Sequence, residues 1–268
     1  MSHADPAGAL PAGTTREEAT DHIGVTRTRV ARRSRVREVI FGTQDGLLTT
    51  LGLVSGVGGA TSDRYSVLVA GMAGSVAGLV AMGAGAYISS KSQLEVLSAE
   101  VELESRELLS NPERELEELV QLFEAEGLPE EDARVVAEKI SQRPEAMLKA
   151  MTQKELGLAL DSNEPIKEGV VMAMAFLIGA LVPITPWFFA GARGSGTLAG
   201  LNLSPALLVS VGVTVATLFV LGAGKARVAH NSMLKGGLEI MGIGVLAAVF
   251  GFLLGTIFPH LAGARAGA

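Results

Sequence analysis

Two pairs of glutamates with the same three-residue spacing are the first candidates for chemistry in this chain. Glu104 and Glu107 form one pair, and Glu115 and Glu118 form the other. Residues three apart lie on one face of an α-helix, so two antiparallel helices would bring the four carboxylates together. Carboxylates at close range repel one another without a cation, and they suit hard or borderline divalent ions. The spacing predicts a divalent-metal site, with a solvated acidic surface as the alternative.

A methionine and a fifth glutamate extend this set. Met151 and Glu155 are four residues apart, so they share a face of a later helix in the same acidic segment. A thioether combined with carboxylates favours Fe²⁺ or Mn²⁺ over Ca²⁺ or Mg²⁺, which prefer oxygen ligands alone. The predicted ion is therefore Fe²⁺ or Mn²⁺, with other divalent transition metals as further options.

Two more candidates lie in apolar sequence. Asp45 follows Arg37 by about eight residues, which is about 12 Å along a helix. An ionisable side chain at that depth in a bilayer is costly and by default marks an ion pathway. The alternative is an aspartate near a helix end, beside Gly42 and Gly46. Met82 could be a soft ligand facing Asp45, or it could pack against neighbouring helices.

The segment that carries the glutamates is predicted to be a small helical bundle. Residues 91–160 contain 17 acidic and 8 basic side chains, a net charge of −9, which leaves +3 for the rest of the chain. Apolar residues recur in this segment at the i, i+3, i+4, i+7 spacing of amphipathic helices. The expected helix boundaries are Asn111-Pro112, Gly127, Pro129 and Pro144.

The remainder of the chain is typical of a membrane protein. Apolar residues make up 48% of the 268 residues, and five apolar runs approach the roughly 20 residues that a spanning helix needs. The chain has no cysteine, which excludes disulfides, thiolate metal sites and a cysteine nucleophile. No nucleophile–base pair or histidine-rich site is apparent, so an enzyme is not predicted. The predicted spans cover approximately residues 38–59, 65–90, 166–190, 204–224 and 236–258.

Arginines between residues 27 and 37 orient these spans. A basic run can bind nucleic acid, but beside an apolar run it is typical of the cytoplasmic end of a membrane helix, so no nucleic-acid partner is predicted. With the N-terminus inside, the acidic segment between spans two and three is also cytoplasmic. The predicted parts are a mobile basic arm (1–35), spans one and two (36–90), a cytoplasmic acidic helical metal-binding domain (91–160), spans three to five (161–260) and a tail (261–268).

Four motifs stand out along the chain: IFGTQDG in the first span, MGAGAYISSKS in the second, the two Glu-x-x-Glu pairs, and ELGL after the acidic segment. Together they resemble the vacuolar iron transporter family, over approximately residues 37–258. The resemblance implies an all-α, multi-pass homodimer with five transmembrane helices per subunit and a cytoplasmic helical bundle between helices two and three. It also implies export of Fe²⁺ and related divalent ions from the cytoplasm in exchange for protons. The membrane would be the inner membrane of a bacterium or the vacuolar membrane of a eukaryote.

The resemblance also implies roles for particular residues. The family's first-span aspartate falls on Asp45 and its second-span methionine on Met82, in a pathway at the dimer interface. Its cytoplasmic ligands fall on Glu104, Glu107, Glu115, Glu118, Met151 and Glu155.

This chain departs from the family pattern in the second span. Family members often have a glutamate where this chain has Gly74 and a methionine where it has Ser75; Thr152 replaces another frequent methionine. The missing carboxylate keeps open an alternative function, a membrane-tethered metal sensor or buffer without transport. The small-residue spacing of Gly74 and Gly78 is expected to place both at a helix contact of the dimer.

Overall fold

The computed structural model of the protein describes residues 16–61, 63–154, 164–189 and 203–261. Over these ranges the chain forms eight helices and no β-strand, which confirms the predicted all-α class. The helices are α1 (Arg16–Ala60), α2 (Arg64–Ser110), α3 (Pro112–Ala125), α4 (Glu130–Ser141), α5 (Pro144–Lys154), α6 (Pro165–Phe189), α7 (Pro205–Val228) and α8 (Met233–Leu261).

The chain divides into two compact units. The first consists of Met1–Gly83 and Val170–Ala268, and the second is Ala84–Gly169. The second unit therefore begins inside α2, earlier than the predicted domain boundary at Lys91. No helix break marks that boundary, because α2 continues without interruption to Ser110.

Helix α1 begins well before the first predicted span. It starts at Arg16, so residues 16–35, predicted above as part of a mobile arm, are helical. This stretch contains no proline, and six of its twenty residues are arginine, which favours helix. The basic run and the first apolar run thus belong to one helix.

Four described helices are long and apolar enough to cross a membrane: α2, α6, α7 and the Met233–Phe258 part of α8. These helices make the chain a membrane protein. Helix α1 is not among the four, because Gln44 and Asp45 lie in the middle of its apolar half and lower its mean hydropathy. The first predicted span, at approximately residues 38–59, therefore stays a prediction, and with it the count of five.

Glycines bring α1 and α8 together at the level of the backbone. A Cβ atom added at Gly251 would overlap the carbonyl oxygen of Gly52, and one added at Gly255 would overlap that of Gly56. Close contacts of this kind are typical of membrane helices, where van der Waals packing replaces the hydrophobic effect as the driving force. The same unit has a buried apolar cluster that includes Val54, Val67, Ile184, Trp187 and Leu207.

Helix α6 continues through two prolines. Pro183 and Pro186 lie inside it, and it ends only at Phe189, so neither proline ends the span. The hydroxyl of Ser210 in α7 donates a hydrogen bond of 2.5 Å to the carbonyl oxygen of Pro183. Neighbouring helices and hydroxyl side chains commonly satisfy the backbone groups that a proline disturbs in a membrane helix.

The second unit follows the predicted helix boundaries. Helix α3 begins at Pro112, α4 begins directly after Pro129, and α5 begins at Pro144. Gly127, in the turn after α3, has a φ of 100°, a conformation that glycine adopts at little cost. The apolar faces of α3, α4 and α5 share a buried core of Leu119, Val120, Phe123, Ala133, Ala137, Met147 and Met151.

Candidate metal centre

Three glutamates meet where α2 ends and α3 begins. One carboxylate oxygen from each of Glu104, Glu107 and Glu115 lies within 4.8 Å of the other two. Glu104 and Glu115 are buried, with 5% and 1% of their surface exposed, and Glu107 is partly buried. Carboxylate oxygens bind divalent ions at about 2.0–2.6 Å, so three oxygens at this spacing can face one ion. We call these three residues the glutamate cluster.

A one-residue connection positions the cluster. Asn111 alone separates Ser110, the last residue of α2, from Pro112, the first of α3. The N–H of Asn111 donates to the carbonyl oxygen of Glu107 (2.8 Å), and its own carbonyl accepts from the N–H of Glu115 (3.2 Å). Asn111 occupies the predicted cap position, although its side chain makes no capping hydrogen bond. The short connection places the last turns of α2 beside the first turn of α3.

The electrostatics of the two helix ends favour a cation at the cluster. Glu107 lies in the last turn of α2, at the negative end of that helix's dipole, and this turn contains no basic residue that could balance its charge. Glu115 lies in the first turn of α3, at the positive end of that helix's dipole. Mutual repulsion and burial add to the cost of keeping the carboxylates charged. A divalent ion would offset these costs.

Glu118, the fourth predicted glutamate, makes a different interaction. The Nε of Arg114, one turn earlier in α3, donates a hydrogen bond of 2.8 Å to its Oε1. The hydrogen bond and charge of Glu118 raise the pKa of Arg114, and the charges of Glu115 and Glu107 contribute in the same direction. Arg114 was not among the predicted site residues, although its four-residue spacing from Glu118 is a recognisable signal for a helical ion pair.

The other predicted ligands are Met151, which lies on α5, and Glu155. Met151 is fully buried in the apolar core with Leu119 and Phe123. Glu155 lies outside the described residues. Its predecessor Lys154 ends α5, where its Nζ contacts Glu126 at 2.6 Å and lies 4.2 Å from the centre of the Phe123 ring. The ligand roles of Met151 and Glu155 therefore stay predictions.

The candidate pathway residues lie in the first unit. Asp45 is partly buried on α1 and accepts a 3.5 Å hydrogen bond from the hydroxyl of Thr49. One turn earlier, a Cβ atom at Gly42 would lie 3.0 Å from the sulfur of Met172 in α6. Met82 is partly buried on α2. Sequence reasoning missed both residues: the four-residue spacing of Thr49 from Asp45 could have indicated the hydrogen bond, whereas the approach of Met172 to Gly42 depends on the packing of α6 against α1.

Comparison with known proteins identifies the family of this chain. The model of the VIT family matches residues 36–256, which include every residue of the glutamate cluster. The chain belongs to this family. Among its relatives, vacuolar iron transporter 1 of Oryza sativa subsp. japonica is 30% identical over 92% of this chain and 95% of its own length.

Two other VIT family relatives show how widely the similarity extends. Vacuolar iron transporter 2 of Oryza sativa subsp. japonica is 31% identical over 81% of this chain and 85% of its own length. The vacuolar iron transporter of Plasmodium falciparum is 28% identical over 85% of this chain and 84% of its own length. Plant and protozoan members thus align over most of the chain, which confirms the resemblance inferred from the four motifs.

Proposed function

We propose that this chain transports Fe²⁺, and also Mn²⁺, out of the cytoplasm in exchange for protons. The observation that carries the proposal is the convergence of Glu104, Glu107 and Glu115 in a membrane protein of the VIT family. Relatives named as iron transporters support iron as the transported ion. Membership of a transporter family also supports a non-enzymatic role.

Capture is assigned to the second unit. The glutamate cluster provides three oxygen ligands, and Glu118, Met151 and Glu155 are proposed to complete a site for a borderline divalent ion. Acidic side chains surround the cluster in sequence and would raise the local concentration of cations. The ion is here the transported substrate, so its affinity for these ligands has to allow release as well as binding.

Passage across the membrane is assigned to Asp45 and Met82. A carboxylate in a membrane helix can bind a cation when ionised and release it when protonated, so metal and proton compete for one group. Such competition would couple a proton gradient to ion export. Thr49, which donates to Asp45, would help to orient the carboxylate.

The topology that this mechanism needs has five spans per subunit in a homodimer. We propose that the apolar half of α1 is the first of these five spans, because it packs against α8 through backbone contacts at two pairs of glycines. The arginines of α1, together with Lys225 and Arg227 at the end of α7, would lie on the cytoplasmic side under the positive-inside rule. The N-terminus and the acidic unit would then be cytoplasmic.

Flux measurements in proteoliposomes test this function. Purified protein should move Fe²⁺ and Mn²⁺ faster than empty liposomes, and a pH gradient of the proper sign should increase the rate. The triple variant E104Q/E107Q/E115Q should lose most of this flux. Its matched control, E113Q/E124Q/E130Q, removes three exposed charges outside the cluster and should transport like the wild type. Equal flux in both variants would contradict a role for the cluster.

A membrane-tethered metal sensor or buffer is the second candidate, and one observation favours it. Gly74, at the family's frequent second-span glutamate position, faces the apolar side chain of Leu53 in α1. The pathway thus lacks a carboxylate at this point. A sensor would bind Fe²⁺ or Mn²⁺ through the cluster but show no flux above empty liposomes at any pH gradient. Metal-binding and flux measurements on the same preparation separate the two functions.

A further inference from the structure

The ion pair between Arg114 and Glu118 is built into the proposed capture site. Glu118 follows Glu115 by three residues on α3, so both occupy the same face of the helix. The Nε of Arg114 lies 2.8 Å from Oε1 of Glu118, with 67% of the arginine side chain and 31% of the glutamate side chain exposed. The pair is therefore accessible to ions from solution while it adjoins the glutamate cluster.

The charge of Arg114 acts on more than its hydrogen-bonded partner. Its guanidinium also interacts favourably with the carboxylates of Glu115 and Glu107, two members of the cluster. A guanidinium remains charged at every accessible pH, so this attraction is present whether or not a metal is bound. Its planar donors match carboxylate geometry, which makes arginine an effective substitute for a cation in such a site.

We propose that Arg114 is an internal competitor of the metal: it holds Glu118 in the metal-free protein and gives it up when a divalent ion is captured. The ion would then bind to Glu118 only after the Arg114–Glu118 hydrogen bond breaks. Re-forming that bond would help to expel the ion. Arg114 thereby lowers the affinity of the capture site and speeds release, which suits a site that delivers its ligand onward. This inference rests on the proposed capture function of the cluster.

The same unit contains a natural comparison for this pair. Arg106 of α2 contacts Glu102 at 2.5 Å with the same four-residue spacing in the reverse order, and 73% of its side chain is exposed, against 67% for Arg114. Glu102 is not a member of the glutamate cluster. Replacing Arg106 thus removes an equal charge from another exposed helical ion pair without releasing a proposed ligand.

Mn²⁺ affinity of the full-length protein in detergent tests the proposal. R114Q should bind Mn²⁺ about two- to fivefold more tightly than the wild type, the range that exposed ion pairs produce. R106Q should stay within about twofold of the wild type on the same scale. R114K keeps the positive charge but lacks the planar guanidinium, so its Mn²⁺ affinity should lie between those of the wild type and R114Q. Circular dichroism should show unchanged helicity, since both arginines are exposed.

A double-variant comparison tests whether Arg114 acts through Glu118. In the E118Q background, R114Q should increase affinity by less than it does in the wild-type background, because the ligand that Arg114 withholds is already absent and only its attraction to Glu115 and Glu107 is removed. Unchanged or weaker binding in R114Q, or an equal gain in R106Q, would overturn the proposal while leaving the capture function intact. Failure of the wild type to bind Mn²⁺, or equal binding by the E104Q/E107Q/E115Q variant, would instead reject the capture function and with it this inference.

Discussion

Gly46 of α1 lies against the backbone carbonyl oxygen of Phe176 in α6, so closely that a Cβ atom at position 46 would overlap that oxygen. One turn further along α6, Gly179 lies equally close to the carbonyl oxygen of Thr43. Thr43 and Gly46 bracket Asp45 in sequence. The turn of α1 that carries the candidate pathway carboxylate is therefore fixed against α6 by backbone contacts.

Replacing Gly46 by alanine should destabilise the protein. The obstructing atoms belong to the backbone of α6, which cannot rotate away, so we expect a loss of at least about 1–3 kcal/mol. Thermal unfolding in detergent measures the effect. G212A is the matched control, because a Cβ atom there meets nothing within 4 Å and should leave stability unchanged or slightly higher. Equal melting temperatures for the two variants would refute the close contact.

The two glutamates of α3 should contribute unequally to metal binding. E115Q removes a buried member of the cluster and should weaken Mn²⁺ binding by at least about tenfold. E118Q should weaken Mn²⁺ binding less, because the Glu118 carboxylate is hydrogen-bonded to Arg114 in the metal-free protein. E113Q, an exposed substitution in the same turn, serves as the control. Calorimetric titration measures the Mn²⁺ affinity of each variant. A larger loss of affinity in E118Q than in E115Q would contradict the cluster geometry.

Asp45 should be required for transport but not for capture. D45N keeps the shape of the side chain and removes its charge, so flux in proteoliposomes should fall to the level of empty liposomes. Mn²⁺ binding by the glutamate cluster should remain. The control is D63N, which changes an aspartate in the turn before α2 to a residue that also caps helices well. Persistent pH-dependent flux in D45N would mean that ions take another route.

Asp63 should make the stability of the protein depend on pH. Its Oδ2 accepts hydrogen bonds from the hydroxyl (2.6 Å) and the backbone N–H (2.7 Å) of Ser66, which hold the pKa of Asp63 below its usual value. A carboxyl with a lowered folded-state pKa stabilises the fold above its unfolded pKa of about 3.9 and loses that contribution as pH falls through the folded value.

The variant D63A tests this cap. Its melting temperature in detergent should lie below that of the wild type at pH 7, and the difference should shrink as the pH is lowered below about 3.9. S66A removes one of the two donated hydrogen bonds and should reproduce part of the loss. If the melting temperatures of wild type and D63A differ by the same amount at pH 7 and below about pH 3.9, the charge of Asp63 is not involved.

Local signals in the sequence predicted much of the acidic unit. Proline positions predicted the starts of α3, α4 and α5, because proline favours the first turn of a helix and disrupts its interior. The spacing of the glutamates predicted their convergence, and three of the four do converge. Periodicity could not distinguish Glu115 from Glu118, because both share a face of α3. The ion pair with Arg114 and the packing of α2 against α3 decide between them.

The sequence alone could not predict which helices contact one another. Gly74 and Gly78 were predicted at a dimer contact, which stays a prediction; within the chain, their neighbours are Leu53 of α1 and the ring of Phe176 in α6. Small-residue spacing shows that some backbone or side chain approaches closely, but it does not identify the partner helix. The extension of α1 to Arg16 was missed for another reason. The residues before the first span were predicted to be a mobile basic arm, but a strongly basic composition does not by itself prevent helix formation.

The glycine contacts between α1 and α8 restrict which parts of the molecule can shift during a transport cycle. Backbone atoms cannot change rotamer to make room when one helix slides along the other. The contacts of Gly52 with Gly251 and of Gly56 with Gly255 should therefore keep α1 and α8 in a fixed relative position. Any rocking movement has to carry both helices together. The chain contains no cysteine, so spin labels attached to cysteines introduced in α1 and α8 would report this pair without background. Their separation should stay constant with and without Mn²⁺, and the hinge should be sought elsewhere.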